Sequence, residues 1–258
     1  MKKFPDSNEG ESANMQTAKD GPDTLYRGYT NWKNWEGATA AEGANDERYN
    51  DTFMIECQRA GLSASPSHVL EIGFGNGEFL DWCRAAGHRV CGVELIPEMV
   101  ESARANGHEA VLCDGSPPQL GDKPMFDLIA AFDVFEHLTA EDLCKWLIWM
   151  GSHLGPQGRI VARFPNGGSP FGRLNQHGDL THRLSLSVAS VDQLARLAGL
   201  RLVAAHNAAR PLRGGGRSKI AKRLAYMVRD LVESVVGHVY FGQHVPLDPN
   251  LTVVLART

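Results

Sequence analysis

Between Val69 and Leu80 the chain reads VLEIGFGNGEFL, in which Gly73, Gly75 and Gly77 alternate with other residues just after a short apolar run. A glycine-rich turn of this kind lets backbone approach a nucleotide closely. The charged companions decide which nucleotide. Glu71 ends the apolar run, and Glu78 occupies the place where a dinucleotide fold sets its last glycine and seats a pyrophosphate. Two carboxylates at that point repel phosphate. Glu94, about twenty residues past the loop, is placed to accept both ribose hydroxyls. Asp114 can accept a hydrogen bond from an adenine amino group, and Asp133 falls near the other end of the ligand. With the flanking Leu95 and Gly115, these residues make a site for a nucleoside that carries positive charge and no phosphate. S-adenosylmethionine fits, because acids attract its sulfonium and ammonium. NAD would be satisfied by Glu94 alone.

Methyl transfer from a sulfonium is an in-line displacement. It needs the acceptor atom at attack distance and, for a hydroxyl, a base for the proton. His137, in FDVFEHL, begins the loop beyond Asp133 and is either that base or a cap for the next helix. A second cluster, NQHGDLTHRLSLS, holds His177, Asp179, His182 and Arg183. Asp179 and His182 form an oriented base pair or merely brace a surface loop. Arg183 could hold an anionic or polyol substrate. Metal-ligand spacing is absent, so no metal is expected. The fourth apolar run does not end in Asp/Asn-Pro-Pro-Tyr/Phe, and no Pro-Cys pair occurs. Those absences turn the reading from nitrogen or cytosine carbon toward oxygen as acceptor.

Elements must bring these residues together, and their signals alternate. HVLEIG, HRVCGVEL, EAVLCDG, FDLIAAFD and GRIVARFPN read as strands. Between them, EFLDWCRAAG stops at Gly87, PEMVESARANG carries Pro97 in its first turn, and TAEDLCKWLIWMGSHLG is capped by Thr139. SVASVDQLARLAG is a further helix in which Ser190 and Gln193 have capping-box spacing. LRLVAAHN and LTVVLART supply the last two strands. Such alternation predicts an α/β fold whose parallel sheet is covered on both faces, with ligands outside the carboxyl ends of its strands.

From about Ser67 to Leu200 the chain resembles the class I S-adenosylmethionine-dependent methyltransferases. VLEIGFGNG is similar to their first motif, GVELIP to their acidic second strand, LCDG to the adenine-side loop and FDLIAAFDVFEHL to the fourth strand. The resemblance implies a doubly wound seven-stranded sheet, mostly parallel, with a reversed last strand supplied by LTVVLART. Glu71 stands where that family more often has aspartate. The segment FPNGGSPFGRLNQHGDLTHRLSLSVASVDQLARLAGL is similar to one in bacterial methyltransferases of surface-glycan and lipopolysaccharide biosynthesis. It implies a sugar hydroxyl of a glycan or glycan precursor as acceptor, with a small phenolic or quinone-type hydroxyl as the alternative. A nicotinamide-dependent oxidoreductase and a non-catalytic binding protein are the readings from other classes.

The bulk properties set limits. The chain has 258 residues, 43% of them hydrophobic and 22% charged, with a net charge of −4. That balance argues against a protein dedicated to nucleic acid. Five cysteines without a C-x-x-C pair read as reduced thiols, and with no signal-peptide pattern a cytoplasmic protein is expected. Residues 1–24 are polar and unpatterned and are expected to be disordered. Residues 25–61 form a helical extension whose Tyr26, Tyr29, Trp32 and Trp35 either cover the cofactor mouth as a lid or pack on the main domain at 62–258. Within that domain, residues 210–238 are a basic amphipathic insertion. Its apolar stripe either covers the sheet or meets an anionic membrane surface at the inner face of the membrane, and its basic residues could instead grip a phosphate-bearing substrate. Oligomeric state is not legible.

Overall fold

The runs HVLEI, RVCGVE and FDLIAAF are apolar on nearly every consecutive residue, as strands covered on both faces must be. In the computed structural model they form the centre of one sheet. The structure describes residue 33 and residues 47–62, 66–121, 125–213 and 218–258. Among these, α1 (Glu47–Arg59) precedes β1 (His68–Ile72), α2 (Glu78–Ala85), β2 (Arg89–Glu94), α3 (Pro97–Ala105), β3 (Glu109–Leu112) and β4 (Phe126–Phe132). Then come α4 (Ala140–His153), β5 (Leu154–Pro165), the short α5 (Arg173–His177), α6 (Val188–Leu197), β6 (Leu200–Asn207), α7 (Lys219–Val236) and β7 (Asn250–Arg257).

The strands lie in the order β3-β2-β1-β4-β5-β7-β6, with β7 antiparallel to both its neighbours. This is the doubly wound, mostly parallel seven-stranded sheet with a reversed last strand that the sequence implies. The order turns back between β1 and β4, which opens a crevice at their carboxyl ends. Side chains alternate across the sheet. Leu70, Ile72, Ile129 and Ala131 face a core with Phe135, Leu143 and Trp146, whereas Val69, Leu128 and Ala130 face Phe53, Phe79 and Leu80. Both faces are therefore dry, and the polar strand ends are the free places for chemistry.

Helix boundaries mostly follow the expected signals. Pro97 is the first residue of α3, and the Thr139 hydroxyl accepts the Asp142 N–H at 3.1 Å. The cap of α6 differs. Ser187, not Ser190, is the N-cap: its Oγ accepts the Ser190 N–H, while Ser190 Oγ accepts the Ser187 N–H at 2.8 Å. The helix begins one turn earlier because a serine at the third helical position closes the box as well as a glutamine does.

Residues 1–24 and the aromatic residues Tyr26, Tyr29, Trp32 and Trp35 lie outside the described residues. The later part of the extension is α1, which packs into the core through Phe53 and Cys57, with the Phe53 ring 5.1 Å from Phe79 and 5.6 Å from Phe132. Polar residues also tie α1 to the C-terminal part of the chain, among them Arg59, whose Nη1 donates to the Asn207 carbonyl at 3.0 Å. Glu56 is fully buried, and its Oε1 accepts the Ala209 N–H at 2.5 Å and the Thr252 hydroxyl at 3.0 Å. Its Oε2 lies 3.2 Å from His206 Nε2. Burial pushes the Glu56 carboxyl up, but the bonds to His206 and Ala209 outweigh it and hold the carboxyl below its ordinary value.

Glu56→Ala strips the partner from three groups at once. We expect a loss of about 3–5 kcal/mol, and so a Tm lowered on the order of 10 °C in thermal unfolding. The sign with pH follows from the lowered value. Glu56 stabilises the fold above its unfolded pKa, and that contribution is lost as pH falls through its folded one. The difference between wild type and variant should therefore narrow below about pH 4.

Candidate functional site

A cavity of about 690 Å³ opens at the carboxyl ends of β1, β2, β3 and β4. Of the residues singled out in the sequence, Gly73, Glu94, Leu95, Asp114, Gly115, Asp133, His137 and Arg183 line it. The others stand behind this wall. Glu71 is buried at the end of β1, Gly75 and Gly77 shape the turn, and Asp179 and His182 lie behind His137. His177 ends α5 on the exposed surface.

All three glycines of the turn have positive φ, with Gly73 at 68°. A Cβ on Gly73 would also lie 2.5 Å from a methyl of Val134, so both the backbone and the space require glycine. The turn is tied to β2 by Glu94. Its Oε2 accepts the Gly75 N–H at 2.9 Å, and its Oε1 accepts those of Leu95 at 2.7 Å and Ile96 at 3.1 Å. Burial raises the Glu94 carboxyl, and these three N–H groups act against that rise. An anionic phosphate arriving here would meet a carboxylate already holding the turn, with Glu78 in the first turn of α2.

Glu71 is 4% exposed, and its Oε2 has no hydrogen-bond partner among the described residues. Desolvation raises this carboxyl well above its usual range, and repulsion from Glu94 and Glu78 adds to the rise. A cation brought near would relieve both effects. Asp114 sits exposed at the rim, where its Oδ1 accepts the Ser116 N–H at 3.0 Å. Asp133 has φ 58° and is paired with Arg163, whose Nε reaches Oδ1 at 3.1 Å. Its charge is thus already engaged at the wall.

The candidate bases are arranged differently from the sequence expectation. Asp179 Oδ2 and His182 Nε2 are 3.9 Å apart, too far for a hydrogen bond, and the His182 Nδ1 is 3.0 Å from the Gln176 carbonyl. Asp179 Oδ1 instead accepts the Thr181 hydroxyl at 2.5 Å, and Thr181 Oγ1 lies 2.9 Å from His137 Nδ1. A hydroxyl has one proton. With that proton given to Asp179, Thr181 must accept from His137, which fixes neutral His137 with its proton on Nδ1 and its lone pair on Nε2. Burial lowers the His137 pKa to about 4, helped by the neighbouring His182, so the imidazole is neutral at neutral pH. Lys33, 3.3 Å from Asp179 Oδ2, adds a cation behind the relay.

Sequence reading passed over three residues. Glu136 is buried beside His137, its Oε2 has no hydrogen-bond partner among the described residues, and desolvation raises its carboxyl well above the usual range. Ligating atoms of Glu136, His137 and His182 lie within 4.8 Å of one another. One carboxylate and two imidazoles could hold a divalent cation after a modest closing of these distances. Thr181 and Arg163 complete the omissions. Thr181 sits inside the quoted DLTH, but only the fold reveals that it joins Asp179 to His137, forty-four residues away.

Asp179, Thr181 and His182 sit on a loop with its own closure. Asn166 and Leu186 form a bridge, and the Gly167 N–H reaches the Leu186 carbonyl at 2.7 Å. Within the loop, the N–H groups of Arg183 and Leu184 donate to the Glu136 carbonyl at 2.7 and 3.0 Å, which presses Thr181 and Asp179 against the turn bearing His137.

Comparison with known proteins agrees with this geometry. An uncharacterized methyltransferase of Bacillus licheniformis is 38% identical over 102 residues, covering 39% of this chain and 48% of that protein. The ubiquinone biosynthesis O-methyltransferase of Xylella fastidiosa is 28% identical over 103 residues, 36% of this chain and 42% of that protein. The chain thus spans about half the length of the curated relatives it matches. A solved S-adenosylmethionine-dependent methyltransferase from Archaeoglobus fulgidus shares the fold at a TM-score of 0.55 and 19% identity, covering 78% of this chain and 92% of that one. A family defined as a methyltransferase domain matches residues 48–205, from α1 through the strands and the relay loop into β6. With more than half its residues in that match, the chain belongs to the methyltransferase-domain family.

Proposed function

We propose that this protein is an S-adenosylmethionine-dependent methyltransferase that methylates a hydroxyl oxygen of a small phenolic or quinol-type molecule. The observation that carries the reading is the Asp179–Thr181–His137 relay, which delivers a neutral imidazole to the wall of an acid-lined nucleoside cavity. The Glu71 oxygen without a partner among the described residues suits a cationic ligand. In this reading Glu94 takes the ribose, Asp114 the adenine amino group, and Glu71 the positive charge of the amino-acid end. When bound, the cofactor supplies a methyl group on a sulfonium, open to in-line displacement.

The remaining work falls to the chain. His137 Nε2 takes the acceptor's proton as its oxygen forms the new bond to carbon and the bond from carbon to sulfur breaks. Thr181 and Asp179 hold the ring in the tautomer that can do so. Basicity then selects the acceptor. An imidazole with a pKa of about 4 is a weak base. It is better matched to a phenol, near 10, than to the much less acidic hydroxyl of a sugar. This argument, and the relative that acts in ubiquinone biosynthesis, favour the phenolic class over the glycan hydroxyl suggested by the loop sequence.

The Glu136/His137/His182 cluster favours a second reading, in which a bound divalent cation acidifies the acceptor hydroxyl. Chelator treatment separates the two. Turnover that survives chelation supports the imidazole base, and loss restored by added magnesium or zinc supports the cation.

Purified protein incubated with S-adenosylmethionine should add one methyl to catechols or hydroquinones, read as product mass. Transfer to sugar nucleotides alone would return the reading to a glycan hydroxyl. His137→Ala should lower turnover about 10²–10⁴-fold with cofactor affinity nearly unchanged. Thr181→Val should do the same more mildly, by releasing the tautomer. Normal turnover in both variants would remove the relay from the mechanism.

Cofactor binding gives two further expectations by calorimetry. Glu94→Ala should weaken S-adenosylmethionine by roughly ten- to a hundredfold, the value of a charge-assisted hydrogen bond. Glu71→Gln should weaken it while raising the Tm of the free protein. The sign follows from the raised Glu71 pKa: between its unfolded and folded values the buried carboxyl destabilises the fold, and a neutral amide of the same shape removes that cost. A Glu71→Gln variant less stable than wild type at neutral pH would contradict the assignment.

A further inference from the structure

The helix α7 is turned inside out. Its polar side faces the domain. Glu233, 4% exposed, accepts the Asn207 side-chain amide at 2.6 Å and the Leu247 N–H at 2.8 Å. The Tyr226 hydroxyl donates to the Pro211 carbonyl at 3.1 Å, and Arg210 pairs with Asp230 at 2.5 Å. Its apolar stripe faces out. Ile220, Leu224, Met227, Leu231 and Val235 are between 54% and 80% exposed, and the stripe continues into exposed Tyr240 and Phe241. At 1.5 Å per residue the stripe runs about 22 Å. Soluble domains normally turn the stripe of such a helix inward. An apolar face of this extent marks an interaction site.

Charge identifies the occupant. Residues 210–238 carry seven Arg or Lys against two acids, Asp230 and Glu233, within a chain of net charge −4. One of those acids is buried and the other is paired with Arg210. Exposed Lys219 and Arg223 lie along one edge of the stripe, whereas Arg229 lies across the helix on the domain side, 3.9 Å from Asp248. Two copies of this chain meeting through the stripe would bring like-charged segments together. Among the described residues, no helix is long and apolar enough to cross a membrane. An apolar stripe flanked by basic residues on a helix of this length matches a surface that is anionic at its heads and apolar beneath.

We propose that α7 and the following Tyr240–Phe241 dock this protein on an anionic lipid surface. The topology gives the docking a direction. The chain leaves β6 at Asn207 and re-enters the sheet at Asn250, opposite Pro165, the carboxyl end of β5. That is the end of the sheet where the cofactor cavity opens. Docking through α7 therefore holds the β6–β7 edge of the sheet at the bilayer, with the cavity at the same carboxyl end of the sheet. The proposal stands on the exposed stripe and its charge and is independent of which hydroxyl is methylated.

The test is sedimentation of the full chain with vesicles. Vesicles containing phosphatidylglycerol should carry the protein down at low salt and release it at about 0.5 M salt, where the basic residues are screened. Pure phosphatidylcholine vesicles should leave it in the supernatant. Leu224→Asp with Leu231→Asp, and separately Lys219→Glu with Arg223→Glu, should each weaken association about tenfold or more. These side chains are exposed, so unfolding temperature and S-adenosylmethionine binding should stay as in wild type. Equal recovery in the supernatant with both vesicle types at low salt would overturn the proposal. So would a dimer in analytical ultracentrifugation that the Leu224/Leu231 variant dissolves, because the stripe would then belong to a second copy.

Discussion

The Glu94 carboxylate, accepting three backbone N–H groups in a buried setting, is the contact on which the site depends. It joins the glycine turn after β1 to the start of α3. Two loops that would otherwise move independently thereby share one anchor. The same carboxylate sits in the cavity wall, and its oxygens keep further lone pairs beyond those the three N–H groups occupy. Burial makes the arrangement costly, and the three donors offset much of that cost.

Much of this was legible because it is local. Strands buried on both faces must be apolar throughout, and β1, β2 and β4 declare themselves in that way. Thr139 and Pro97 act within one turn of their helices, so short spacing suffices to find them. The acids at the strand ends could be placed because the topology itself points strand termini at the crevice. The relay was harder. Asp179 and His182 have the spacing of a pair, yet the fold gives the aspartate to Thr181 and Thr181 to His137. Glu56 was likewise invisible, since its partners His206, Ala209 and Thr252 come from the far end of the chain. Sequence spacing reports neighbours along an element, whereas these contacts are made between elements.

The amphipathic insertion marks a different limit. Periodicity identified the apolar face of α7 correctly, but a helical wheel has no outside. Direction was settled by Glu233, whose buried carboxylate binds Asn207 and Leu247 and so turns the polar side inward. A pattern alone would have had this helix the other way round. The acids of the cavity show a related tension. Glu71 and Glu136 are buried with one oxygen each that has no partner among the described residues, a poor arrangement for stability and a useful one for holding positive charge.

The loop closed by the Asn166–Leu186 bridge has a consequence for how this protein could diversify. Its two ends meet at one point, next to the Asn166 amide that holds the Pro246 and Asp248 carbonyls. Between those ends the loop adds no strand to the sheet among the described residues, and it touches β7 and its lead-in through Ser169 and Asn175. The loop, with Asp179 and Thr181, is in that sense a cassette mounted on a fixed chassis that carries His137. A descendant could trade one substrate for another by replacing the cassette, while the half of the molecule that grips the methyl donor is inherited unaltered.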